Sequence, residues 1–171
     1  MSHERDLARA LDLLRRGDLA AADAACRAVL AAQPGHPDAL QLAGLVRKQA
    51  GDLEGAERAM RASLQAAPGR ADFHANLGNL LRARGRPADA EFEYRMALHR
   101  DAAFTPAALG LVRLLNETGH FAPAEAEARK LLAREPRNAE ALVALGGALR
   151  GQRRAAEAEA AYRQALEIAP G

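Results

Sequence analysis

Gly17-Asp18-Leu19 returns as Gly51-Asp52-Leu53, and the 34-residue step between them carries on to Gly85 and Gly119. Pro34 makes the same step to Pro68, misses at Ala102, and resumes at Pro136 and Pro170. Two columns hold one residue type throughout: Ala22, Ala56, Ala90, Ala124 and Ala158, and Leu30, Leu64, Leu98, Leu132 and Leu166. Self-similarity at a fixed period of this size marks a chain of stacked supersecondary units. Counted from residue 3, the units span 3–36, 37–70, 71–104, 105–138 and 139–171, within a single domain covering 1–171.

Each unit reads as two helices. In the second, Pro37 opens helix A, where its missing N–H costs nothing in the first turn. Leu40, Ala43, Gly44 and Val46 follow on one helical face. Gly51 ends the helix because it can take φ > 0. Helix B then runs from about Leu53 to Ala67, with Ala56, Ala59, Met60, Ser63 and Leu64 inward, until Pro68 stops it. In the fourth unit Thr105-Pro106 supplies an N-cap and a first-turn proline, and Pro123 opens helix B. Gly44, Gly78 and Gly146 are expected opposite Ala56, Ala90 and Ala158, with Cys26, Met60, Tyr94 and Tyr162 filling the space between. Composition agrees. Of the residues, 49% are hydrophobic, much of that alanine, and 4% are aromatic. That favours helix and nearly excludes a β-rich fold.

Charge and motifs exclude several functions. Twenty-four basic and 22 acidic residues give a net charge of +2, and the two signs alternate as on a solvated helical surface. With Tyr94 and Tyr162 in core columns, and Phe73, Phe104 and Phe121 packing between neighbouring units, the signal for a nucleic-acid stacking platform is weak. Met1-Ser2-His3-Glu4-Arg5-Asp6 is too charged to lead a signal peptide, no apolar run approaches the ~18 residues of a membrane span, and the single cysteine makes no internal disulfide. A cytoplasmic protein is expected, from a bacterial genome rich in G and C given that almost all basic residues are arginine.

No enzyme chemistry is expected either, and no metal or cofactor. His3, His36, His74, His99 and His120 lack metal-ligand spacing and are expected at surfaces or loops. Cys26 occupies a core column rather than a nucleophile's position. Glu125 and Glu127, like Glu157 and Glu159, fall on different helix faces. Gly146, Gly147 and Gly151 are not followed by the Lys-Ser/Thr of a phosphate loop.

The repeated residues resemble the tetratricopeptide repeat family. The third unit reads Leu77-Gly78, Ala90, Tyr94, Ala97-Leu98; the fifth reads Leu142, Leu145-Gly146, Ala158, Tyr162, Ala165, Pro170. Ala102 in place of the closing proline and Arg153 in place of the turn glycine depart from the pattern. The resemblance implies an all-α, right-handed α-solenoid of five helix-turn-helix units, with helix A lining the concave face. Groove-facing residues then fall at unit positions 2, 5, 9, 12 and 13. The candidate peptide-binding residues are Gln41, Lys48, Gln49, Asn76, Asn79, Arg82, Arg113, Asn116 and Arg150.

Lys48, Arg82, Asn116 and Arg150 share position 12, with Arg113 one turn below Asn116. They suggest a basic and amide-rich ladder facing an acidic edge at Asp38, Asp72 and Glu140. An acidic peptide or protein partner is expected, its carboxylates held by arginine and its backbone by Asn76 and Asn79. The alternative is that these cations only complement the helix dipole. The family's clamp for heat-shock C-termini is not expected, since Gln41, Leu45, Pro106 and Gly110 replace its residues and only Asn76 fits.

The ends differ. Asp6, Arg9 and Asp12 make a polar outer face on the first helix, as a terminal unit requires. Ala161, Tyr162, Ala165 and Ile168 are expected to leave an apolar face uncovered on the last. A second copy or a downstream domain would cover it. Two readings result: a non-catalytic interaction scaffold, or the N-terminal substrate-positioning module of a larger bacterial enzyme of sulfotransferase, glycosyltransferase or iron-dependent hydroxylase type.

Overall fold

The computed structural model describes residues 2–170. Among them are ten α-helices and no strand: α1 (Ser2–Arg15), α2 (Leu19–Ala32), α3 (Pro37–Gln49), α4 (Leu53–Ala66), α5 (Ala71–Ala83), α6 (Pro87–Arg100), α7 (Thr105–Glu117), α8 (Phe121–Arg134), α9 (Ala139–Gly151) and α10 (Ala155–Ile168). Consecutive helices pack as antiparallel pairs, and each pair stacks on the next. Odd-numbered helices touch where α1 meets α3, α5 meets α7 and α7 meets α9, but not comparably where α3 meets α5. Among the described residues no two even-numbered helices do so comparably. A stack whose one layer is tighter than the other bends toward the tight layer. The odd-numbered helices therefore line the concave face of an all-α helical repeat solenoid.

Turns within the pairs share one geometry. At the end of α3, Gly51 N–H donates to the Lys48 carbonyl and Asp52 N–H to the Arg47 carbonyl, at 3.1 and 2.9 Å. This closure needs a left-handed residue, and Gly51 has φ +85°. Arg153 keeps the conformation at φ +63°, with Arg154 N–H donating to the Leu149 carbonyl at 2.9 Å. The missing glycine thus leaves the loop intact but strained, since αL costs a residue with a Cβ ~1–2 kcal/mol. Arg153→Gly should stabilise the protein by about 0.5–1 kcal/mol after glycine's extra chain entropy is deducted, read as a higher urea midpoint. A lower midpoint would refute this account of the turn.

Other departures have local explanations. Ala102 stands where proline closes other units, and there Arg134 donates to the Ala102 and Ala103 carbonyls at 2.6 and 2.7 Å. Thr105 is not an N-cap: Phe104 holds that position and the Thr105 hydroxyl bonds the Glu135 carboxylate instead. Nor does Pro123 begin α8, which starts at Phe121. Pro123 sits in the first turn, where its missing N–H is still harmless.

The glycine columns face large side chains more than alanines. A Cβ on Gly78 would lie 2.8 Å from the Tyr94 ring, one on Gly110 2.5 Å from the same ring, and one on Gly146 2.5 Å from Tyr162. At Gly44 a column alanine is among the nearest neighbours, the Ala56 carbonyl at 3.2 Å, and Met60 is nearer at 2.7 Å. In the fourth pair the sizes are exchanged: Val112 replaces the glycine, Ala128 replaces the tyrosine, and both are fully buried. Phe73 is buried, Phe104 packs on the core, and Phe121 lies against Gly151. These positions agree with packing between units.

An ionic clip recurs outside the apolar core. Glu57 is 5% exposed and binds Arg61 of its own helix together with Arg84 and Arg86 of the following pair. Glu125, 68 residues on, binds Arg129 of its own helix and Gln152 and Arg154 of the following pair. At the two other junctions, among the described residues, Asp23 and Glu91 pair only within their helices, with Arg27 and Arg95. The residues that follow there, Ala50 and Asp52, or Thr118 and His120, offer no guanidinium.

Candidate functional site

The concave face divides into three parts. Its N-terminal end is a cleft of about 390 Å³ between α1, α3 and α5, with Gln41 and Asn76 in its wall. The middle, between α5, α7 and α9, is polar and carries Asn79, Arg82 and Arg113. At the C-terminal end α7, α9 and α10 enclose about 600 Å³, lined by Arg113, Asn116, Val143, Tyr162 and Leu166. Gln49 and Arg150 are exposed and, like the half-buried Lys48, line none of the three.

Most of the expected ladder is engaged across unit boundaries. Arg82 donates to Glu117 at 2.5 Å and Arg113 to Glu140 at 2.8 Å, so each arginine of one unit meets a carboxylate of the next. Asn116 donates through Nδ2 to the Ala144 carbonyl at 2.8 Å. Gly147 makes room for this, since a Cβ there would stand 3.3 Å from that nitrogen. Asn79 accepts from the Tyr94 hydroxyl at 2.8 Å, which ties the groove to the core. Gln41 stands in the wall of the N-terminal cleft but is largely covered. It is 4% exposed, because its Oε1 accepts from the Ser63 hydroxyl of α4 at 2.7 Å.

Lys48 differs from the arginines. Among the described residues no carboxylate pairs with it, and burial followed by the nearby charge of Arg82 lowers its pKa. Two adjacent cations, one without a counter-ion, make a place where an external anion is favoured.

The histidines do not all lie at the surface. His74 is buried and its Nδ1 is 2.7 Å from Glu93 Oε2. His36 caps α3, accepting from Ala39 N–H at 3.4 Å. Burial, then the charge of Asp23, pushes the Cys26 thiol up to about 11, which suits a core residue and not a nucleophile. Among the described residues no three His, Cys, Asp or Glu side chains converge as a metal-binding group, and no helix is long and apolar enough to cross a membrane.

The last helix also differs from expectation. Ala161 and Ala165 are buried, within the α9–α10 pair, while Tyr162 and Ile168 are half-buried. Leu166 is the exposed apolar residue, at 62%. Its counterparts Leu30, Leu64, Leu98 and Leu132 pack on the core, where a following pair covers them. With Val143, 52% exposed, it makes the C-terminal cleft apolar. Sequence reading missed Leu166, because its column is uniformly leucine and nothing in it distinguishes the last member. It missed Arg70 too, which lies in a turn yet reaches both Asp38 and Asp72, at 2.9 and 2.7 Å. The adjacency of Arg70 and Asp72 was the available signal.

The sequence profile of the tetratricopeptide repeat family matches residues 7–70, 42–104 and 109–171. No curated protein matches the chain in sequence. Among solved structures it is similar to PilF of Pseudomonas aeruginosa, with TM-score 0.89, 18% identity, and 97% of this chain and 76% of that one covered. It is similar to YrrB, described as a TPR protein with an unusual peptide-binding site, with TM-score 0.76, 20% identity, and 96% and 85% covered. It is also similar to an O-GlcNAc transferase of Thermobaculum terrenum, with TM-score 0.71, 28% identity, and 77% of this chain but 26% of that one covered.

Proposed function

The chain belongs to the tetratricopeptide repeat family, and from that premise we propose that it is a non-catalytic scaffold binding a protein or peptide segment along its concave groove. The observation that carries this reading is the concave face itself: apolar clefts at both ends, and a half-buried Lys48 beside Arg82 that has no carboxylate of its own among the described residues. A bound segment places a carboxylate at Lys48 and Arg82 and an apolar side chain between Val143 and Leu166. Arg82 and Arg113 already hold Glu117 and Glu140. They set the shape of the groove, and only a partner that displaces those carboxylates engages them.

Fluorescence anisotropy with a short labelled peptide carrying glutamate between apolar residues tests this. Lys48→Ala and Arg82→Ala should each weaken binding about five- to tenfold, and added salt should weaken it further. Arg58→Ala on α4, outside the groove, should leave affinity unchanged. Equal affinity in all three variants would overturn the assignment.

A second reading draws on the O-GlcNAc transferase, of which this chain matches about a quarter at 28% identity. In it the array positions the substrate of a larger enzyme, using the same groove. Leu166 and Ile168 then pack on a further domain or on a second copy. The natural reading frame that encodes the chain separates the two: catalytic sequence in the same frame supports the second and its absence the first.

A further inference from the structure

The N-terminal cleft differs chemically from the rest of the groove. Its floor is apolar, made by Leu7 and Leu11 of α1, Leu42 and Leu45 of α3 and Phe73 of α5. Leu11 is 38% exposed there, and about 390 Å³ accommodates one large apolar side chain. The rim is acidic. Glu4, Asp38 and Asp72 line it against one cation, Arg70. That guanidinium is fully engaged, donating to Asp38 at 2.9 Å and twice to Asp72 at 2.8 and 2.7 Å, and lying 4.1 Å from the centre of the Phe73 ring. Three carboxylates around one guanidinium leave a negative field over an apolar pocket.

Gln41 supplies an independent sign that something is to be bound. Its Oε1 shares the single Ser63 hydroxyl proton with the Met60 carbonyl, and its Nε2 is buried without a hydrogen-bond partner. A buried donor left unpaired costs free energy that a partner's acceptor recovers. Gln41 belongs to the wall of the cleft, where the carbonyl of an extended segment lying across the floor supplies that acceptor.

We propose that this cleft is a distinct subsite taking an apolar side chain with a basic residue beside it, while Gln41 Nε2 donates to the backbone of the same segment. The subsite rests on the reading of the groove as a peptide-binding surface and adds direction to it. Lys48 lies seven residues beyond Gln41 on α3, about 10 Å along a helix, which an extended peptide crosses in about three residues. A cognate segment therefore carries an apolar–basic doublet about three residues from an acidic one. Opposite charge at the two positions fixes which way the segment runs.

Selection of a phage-displayed random peptide library on the whole chain tests this. Enriched peptides should carry the doublet and the acidic residue at that spacing. Leu11→Lys, at an exposed position that tolerates the change, should lose the doublet while keeping the acidic residue. A synthetic copy of a selected peptide should bind Gln41→Leu about tenfold more weakly, with circular dichroism verifying that the variant is folded. Peptides that depend on Arg82 but lack the doublet would overturn the subsite and leave the groove reading standing. A doublet selected equally by Leu11→Lys would place it elsewhere and overturn the subsite too. Failure to enrich any peptide would overturn both.

Discussion

Tyr94→Ala is expected to lower the stability of the protein by about 3–5 kcal/mol, the cost of removing a large buried side chain and leaving a cavity. The ring is fully buried and lies against two glycines, Gly78 of its own pair and Gly110 of the next. Neither glycine has a side chain that could move into the space, so collapse is poor and the upper part of the range applies. The loss acts on two interfaces at once, α5 with α6 and α6 with α7. Urea unfolding followed by circular dichroism measures it, and a loss below about 1 kcal/mol would contradict the packing described. Tyr94→Phe separates a second role. It keeps the ring but removes the hydroxyl that donates to Asn79, so it should cost only about 1 kcal/mol and leave the Asn79 amide free to turn in the groove.

Glu57→Gln should destabilise by about 2 kcal/mol at neutral pH, within the range for hydrogen bonds to charged groups. Burial pushes the Glu57 carboxyl up, but the hydrogen bond from Arg86 and the charges of Arg61, Arg86 and Arg84 outweigh it and hold its pKa below the usual range. A carboxylate depressed in the folded state contributes stability that is present above its unfolded pKa, about 4.3, and is lost as pH falls through the folded value. The wild type and Glu57→Gln should therefore differ most at pH 6–7 and converge below about pH 4. A difference that stays constant down to pH 3 would show that the glutamate acts by packing and not by charge.

The repeat was legible because its signal is redundant. Alanine in one column and leucine in another recur in five units, and local contacts within each unit demand them. The faces of the odd-numbered helices were legible for the same reason, since helical geometry alone decides which residues share a face. What lies opposite those residues was not. Arg82 meets Glu117, Arg113 meets Glu140 and Asn116 meets the Ala144 carbonyl. Each pairing depends on how far one unit is shifted and turned against the next, and a 34-residue spacing carries no record of that offset. Arg153 shows the converse: its column demands a left-handed residue whether or not glycine is present, and the backbone complies at a cost.

The clips at Glu57 and Glu125 bear on how such a chain can be rearranged by recombination. Excision of α5 and α6 with their turns would bring Glu57 against Thr118 and His120, neither of which offers a guanidinium. Excision of the two pairs from α5 to α8 would instead bring it against Gln152 and Arg154, the residues that already receive Glu125 in the same geometry. The ionic joints are kept when two adjacent units are exchanged together and lost when one is. Gain or loss by doublets of 68 residues is thus the change in length that keeps these ionic joints in kind.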